Sequence, residues 1–186
     1  MSTYFHNLQE AFKLYAFSFL FLIFKKAESI STEIPLELRK QLFNLRELVL
    51  LQKNCTTNEG ADVLREAISV FAGHGVMEEF SSLPRIFRDV VVNEQWEGPR
   101  NLLLTQIFRD IQRVSDWYSP AEFVASILDG TSEEKKYKFS LQLEDLLQRP
   151  VLGEVNDVSI DAAIEWDDFC SSIFKVYQEI ALKEIE

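Results

Sequence analysis

Three of the six glycines, Gly73, Gly75 and Gly98, fall within residues 73–101, alongside His74, Arg85, Arg88, Trp96 and Glu97. Glycines at helix junctions let the backbone approach another group closely. Glu97 stands where a helix is expected to begin, and a helix N-terminus favours an ionised carboxylate. A carboxylate beside an aromatic ring on a partly buried turn has the makings of a general base. The plainer reading is that Glu97 only stabilises the helix start. No other constellation competes. There is no Gly-x-Gly-x-x-Gly fingerprint, no phosphate loop ending in Lys-Ser/Thr and no Gly-x-Ser-x-Gly elbow. Glu78-Glu79 and Asp167-Asp168 are adjacent acids, and neighbours on a helix point apart, so they read as solvated surface. Cys55 and Cys170 lie 115 positions apart, which is neither a disulfide framework nor a zinc pattern. They read as two buried, reduced thiols. Two histidines, His6 and His74, leave little for a His-based metal site.

Three strings stand in register here: Ala72-Gly73-His74-Gly75-Val76-Met77-Glu78-Glu79, then Leu83-Pro84-Arg85-Ile86-Phe87-Arg88-Asp89, then Trp96-Glu97-Gly98-Pro99-Arg100-Asn101. Together they resemble the C-terminal helical domain of the acyl-CoA dehydrogenase family. That family carries a Gly-Gly-x-Gly-Tyr element, an Arg-Asp pair and an aromatic-Glu-Gly turn in this order. The Leu-Pro-Arg element and Trp96 are similar to the branch of the alkylation-response flavoproteins. The resemblance implies an all-α, up-and-down helical bundle that helps to bind FAD and an acyl-CoA thioester. It places Glu97 on the base that takes the α-proton. It places Gly73, Gly75, Gly98 and Asn101 on cofactor-binding positions, the first two on a turn against the FAD of a neighbouring subunit. Arg88 and Asp89 fall on a structural pair that bridges helices. The chain departs from the pattern at Ser69, Ala72, Val76 and Pro99. The family's other domains, with the Arg-x-x-Phe-Gly cofactor motif, are not found in this sequence. The expectation is a domain inactive alone, since a base without an electron acceptor cannot run the reaction. The alternative is a non-catalytic module derived from the family and kept for oligomerisation or assembly.

The elements that must position these residues are helical. Gly and Pro are scarce, with eleven in all, and no segment alternates with period two. A first helix is expected over residues 4–28 and a second from Pro35 to about residue 54, buried along Leu38, Leu42, Leu45 and Val49. Thr56 and Glu59 form a capping-box pattern for a third helix, with an apolar face of Val63, Ala67, Ile68, Val70 and Phe71. Gly73 and Gly75 are expected to stop it. Helices follow over 83–93, with Pro84 in the first turn, and from 98 to about 114. Ser119-Pro120-Ala121-Glu122 is a cap, an N1 proline and a capping-box acid in order. Ser132 caps the next helix, which Pro150 ends. Ser159 is expected to cap the last, with a stripe of Ile160, Ile164, Phe169, Ile173, Val176, Ile180 and Ala181.

At 186 residues the chain is long enough for its own core, and 47% apolar content excludes full-length disorder. The charge of −11 is uneven. Residues 1–115 hold 14 acids and 13 bases, whereas 116–186 hold 16 acids and 6 bases. The expected organisation is therefore a family-like bundle over 1–115 and an acidic helical extension over 116–186 packed on it. An acidic surface repels phosphate backbones and anionic lipid, so neither nucleic acid nor a membrane surface is an expected partner. The run from Leu14 to Phe24 is eleven residues, against about 20 for a membrane span, and lacks the flanks of a signal peptide. It reads as a helix buried in the fold or against another subunit. The expected partners are a second copy or a complementary chain of the same family, with acyl-CoA if active. The expected location is cytoplasmic.

Overall fold

The computed structural model describes residues 34–183 apart from residue 97. The expected first helix and the Leu14 to Phe24 run therefore lie outside the described residues, as does Glu97. Seven helices are described: α1 Leu36–Val70, α2 Ala72–Gly75, α3 Leu83–Gln95, α4 Arg100–Val114, α5 Pro120–Ile127, α6 Glu133–Gln148 and α7 Asp157–Lys183. Among the described residues there is no strand, and the all-α expectation holds. No described helix is long and apolar enough to cross a membrane. The chain divides into two compact units, residues 1–49 and 50–186.

α1 corrects the sequence reading. It is one helix of 35 residues, about 52 Å long, with no break at the Thr56 cap signal. The polar triplet stays inside the helix by bonding back one turn. Thr56 Oγ1 donates to the Gln52 carbonyl at 2.7 Å, Thr57 Oγ1 to the Lys53 carbonyl at 2.8 Å, and Asn58 Nδ2 to the Asn54 carbonyl at 3.0 Å. Such bonds satisfy side chains that otherwise favour caps. The buried positions are Phe43, Glu47, Leu51, Asn54, Cys55 and Ala61. The expected stripe is displaced, with Leu38 exposed and Leu42, Leu45 and Val49 only half-buried.

α1 ends at Val70, before either glycine. Ala72 takes the left-handed conformation, φ +48°, that a glycine would adopt more cheaply. Gly73 has open space around a would-be Cβ. At Gly75 a Cβ would meet the Ile68 carbonyl oxygen at 2.3 Å. Gly75 is thus required by the close approach of two backbone segments, whereas Gly73 is not required by packing.

In residues 50–186, α5 and α6 pack together, α6 packs on α7, and α7 packs on α4. The expected capping box is present: Ser119 Oγ accepts from the Glu122 N–H at 3.2 Å, and Glu122 Oε2 accepts from the Ser119 N–H at 3.1 Å. Ser132 caps α6. α7 starts three residues earlier than a Ser159 cap implies. Asn156 Oδ1 accepts from the Ser159 N–H at 3.0 Å, and Ser159 Oγ accepts from the Asn156 N–H at 3.0 Å, so Asn156 is the cap. The α7 stripe is also displaced. Ala162, Trp166, Phe169, Cys170, Ile173 and Phe174 are buried, while Ile160 and Ile164 are exposed. The cause is the indole of Trp166. Its Nε1–H donates to the Leu104 carbonyl at 3.0 Å, its ring meets Phe108 edge-on at 5.1 Å, and it stacks on Phe169 at 5.6 Å. Burying each of these rings contributes about 2–3 kcal/mol, and good ring pairs add about 1 kcal/mol.

The glycine corner yields a testable contrast. Gly75→Ala should cost about 1–3 kcal/mol, since the Ile68 backbone must move. Gly73→Ala should stay within about 0.5 kcal/mol of the parent. Ala72→Gly should raise stability by roughly 0.5–1 kcal/mol, relief of the left-handed Cβ exceeding the added chain entropy. Urea denaturation of the three variants checks the order.

Candidate functional site

The turn between α3 and α4, where the sequence analysis places Glu97, is fixed from two sides. On the α3 side, Lys53 Nζ donates to the Gly98 carbonyl at 2.5 Å and to the Glu94 carbonyl at 3.2 Å. A cation at the C-terminal end of α3 complements the helix dipole and takes up carbonyls left without helical partners. Between these ends Trp96 is extended and 68% exposed, and Gly98 has φ +115°, a conformation that favours glycine.

On the α4 side the anchor is Arg100. Its Nε donates to Asp167 Oδ2 at 2.8 Å, and one Nη2 bond goes to Asp167 Oδ1. The other Nη2 bond reaches Ser171 Oγ at 3.0 Å. Nη1 donates to Asn54 Oδ1 at 3.2 Å and to the Asn54 carbonyl at 3.5 Å. A guanidinium has five N–H donors, and all five are used. The bond to Asp167, with its charge, pushes the Arg100 pKa up. Arg100 is therefore a tie between α1, α4 and α7 with no donor left for a ligand phosphate.

Beside this tie runs a groove of ≈ 450 Å³ between α1 and α7. Cys55, Glu59 and Asp62 line one wall and Ser171 and Lys175 the other, with Arg100 also in the lining. Mixed charge makes it unsuited to a purely anionic group. Burial pushes the Cys55 thiol up to about 11, with Arg100 opposing the shift. It is a poor nucleophile at neutral pH. Both cysteines are buried and free, as expected. Among the described residues no group of three His, Cys, Asp or Glu could hold a metal ion.

Of the candidate site residues, Gly98 and Asn101 share the turn. Asn101 is exposed, and its Oδ1 accepts from the Leu102 N–H at 2.9 Å. Gly73 and Gly75 belong to the corner before α3, so the two glycine turns flank a 13-residue helix. The Arg88–Asp89 expectation is corrected: Arg88 pairs with Glu78, and Asp89 is exposed. Asp167 is not idle surface, since it grips Arg100. Lys53, Asn54, Asp167 and Ser171 are site residues that the sequence reading missed. No local motif marks them, and Asp167 lies 67 positions from its partner.

Comparison with known proteins bears on this turn directly. The family model "Acyl-CoA dehydrogenase, C-terminal domain" matches residues 31–112. Residues 31–112 match the acyl-CoA dehydrogenase C-terminal domain. The span takes in both glycine turns and ends two residues short of the α4 terminus. The chain is also similar to "Putative acyl-CoA dehydrogenase AidB" of Escherichia coli (strain K12), at 36% identity over 59 residues. That stretch is 32% of this chain and 11% of AidB. No solved structure matches significantly. α5, α6 and α7 lie outside the matched span.

Two outcomes follow from the tie. Arg100→Gln should cost about 1–2 kcal/mol, a partly exposed fork being worth less than a buried one. A double-mutant cycle with Asp167→Asn, read by urea denaturation, should show coupling of at least about 1 kcal/mol. The second concerns pH. The folded-state pKa of Cys55 lies above the ordinary value of 9.0. Its contribution to stability is therefore complete below pH 9 and is lost as pH rises through about 11. Cys55→Ala should show a shallower stability loss between pH 9 and 11 than the parent.

Proposed function

We propose that residues 31–112 contribute to a flavin-dependent acyl-CoA α,β-dehydrogenation site, with Glu97 as the base that removes the α-proton. The observation that carries this reading is the family match, whose span includes both the glycine corner and the Trp96-Glu97-Gly98 stretch. FAD would supply the hydride acceptor for the β-carbon. The residues offer a partial fit to it. Gly73 leaves open space where a flat group could lie, and exposed Asn101 carries an amide N–H₂ that can donate. Pro99 has no N–H to offer. Arg100 has none to spare, so phosphate recognition falls to other residues or to another chain. The acyl-CoA thioester and a complementary chain of the same family are partners under this reading.

A second reading is supported by the surface of the matched span. α3 has no fully buried residue, and Val63, Val70, Phe71, Val76, Phe80 and Val92 are exposed. Large apolar side chains exposed in this number are the raw material of an interaction surface. A helical assembly module, with the redox chemistry lost, accounts for that surface and for the departures at Ala72 and Pro99.

The discriminating measurement is an absorption spectrum after incubation with FAD and gel filtration. A retained flavin band supports the first reading. In such a flavin-loaded protein, Glu97→Gln should keep the band and slow α-proton exchange of a bound acyl-CoA by at least about 100-fold. Unchanged exchange would remove Glu97 from the role of base. A colourless protein would favour the assembly module.

A further inference from the structure

The matched span ends at residue 112, yet three of the five bonds that hold Arg100 come from α7, which begins at Asp157. We propose that Asp167 is a positioning residue: α7, from outside the family span, fixes the turn between α3 and α4, the stretch of sequence that contains Glu97. The functional meaning of that turn rests on the reading of Glu97 as the base; the positioning itself does not.

Three observations carry the inference. First, α4 begins without a side-chain cap, because its N-cap is Pro99. α5 and α6 are each capped by a serine hydroxyl. Side chains within α4 anchor its start instead: Asn101 Oδ1 takes the Leu102 N–H, and the Arg100 fork is the tie that reaches another helix. Second, Asp167 is presented by a part of α7 that the core fixes independently. Its neighbour Trp166 is buried and donates to the Leu104 carbonyl, one turn into α4. Removing the carboxylate should therefore leave α7 in place and release only the turn. Third, among the described residues side-chain ties run alongside the backbone bonds of this turn: the Gly98 N–H donates to the Gln95 carbonyl at 3.4 Å and the Leu102 and Leu103 N–H groups to the Pro99 carbonyl at 3.0 and 3.2 Å, while Lys53 holds the Gly98 carbonyl from α1 and the Arg100 fork holds the other end from α7.

Hydrogen exchange of the full chain tests this. Asp167→Asn should raise exchange at the Gly98, Leu102 and Leu103 amides by about tenfold or more. The Phe123 and Lys136 amides, which bond to the serine-capped starts of α5 and α6, should change less than about twofold. Asp167→Glu keeps the carboxylate and should hold the rise at the turn under about threefold. A uniform rise at all five amides would reduce Asp167 to general stability and overturn the proposal. So would an unchanged turn, or a rise in Asp167→Glu equal to that of Asp167→Asn. If Asp167→Asn does not fold, Ser171→Ala must raise the same three rates by at least about twofold, and no rise overturns the proposal. Flavin retention by the parent chain separates the two ideas. A responsive turn in a protein that holds no flavin keeps the positioning and loses the flavin reading. A flavin-binding protein with an unresponsive turn does the reverse.

Discussion

The five N–H groups of Arg100 point in three directions and find acceptors in all of them. Two bonds reach Asn54 on α1, and three reach Asp167 and Ser171 on α7. A lysine could not substitute, because an ammonium offers three donors on a flexible stem rather than a rigid fork. The side chain is about a third exposed, so the strength of the tie comes from bidentate geometry more than from burial. Its value is in registration. It sets where α4 begins relative to α1 and α7.

The same geometry limits what the site can do. An arginine at a helix start beside a candidate cofactor turn invites a role in binding phosphate, but no donor is free for it. The nearby thiol is likewise subdued, since burial keeps it protonated. Under the proposed reading, phosphate recognition and nucleophilic chemistry would therefore have to come from elsewhere than Arg100 and Cys55.

The sequence was most legible where side chains bond to nearby backbone. The Ser119 and Ser132 caps and the α3 start at Leu83-Pro84 lie where local chemistry puts them. It was least legible where a local signal had two solutions. Thr56, Thr57 and Asn58 can cap a new helix or bond back within an old one, and tertiary context selects the second. The α7 stripe was misplaced because counting aliphatic residues gave Ile160 and Ile164 the weight that Trp166 takes. The Arg100 tie spans 46 and 67 positions, and no spacing rule reaches that far. The family motifs, by contrast, pointed to the family whose model matches residues 31–112, because register among three weak strings is more specific than any one of them.

The middle of α1 has a further consequence. A helix interior normally resists interruption because breaking it orphans donors and acceptors on both sides. Here the residues that would cap the downstream half, Thr56 and Glu59, are already in the chain at cap spacing. A cap is worth about 1 kcal/mol, so a fracture just there costs that much less than one a turn away. The longest rod in the fold therefore carries a scored line near its centre, hidden while Thr56, Thr57 and Asn58 face back along the intact helix.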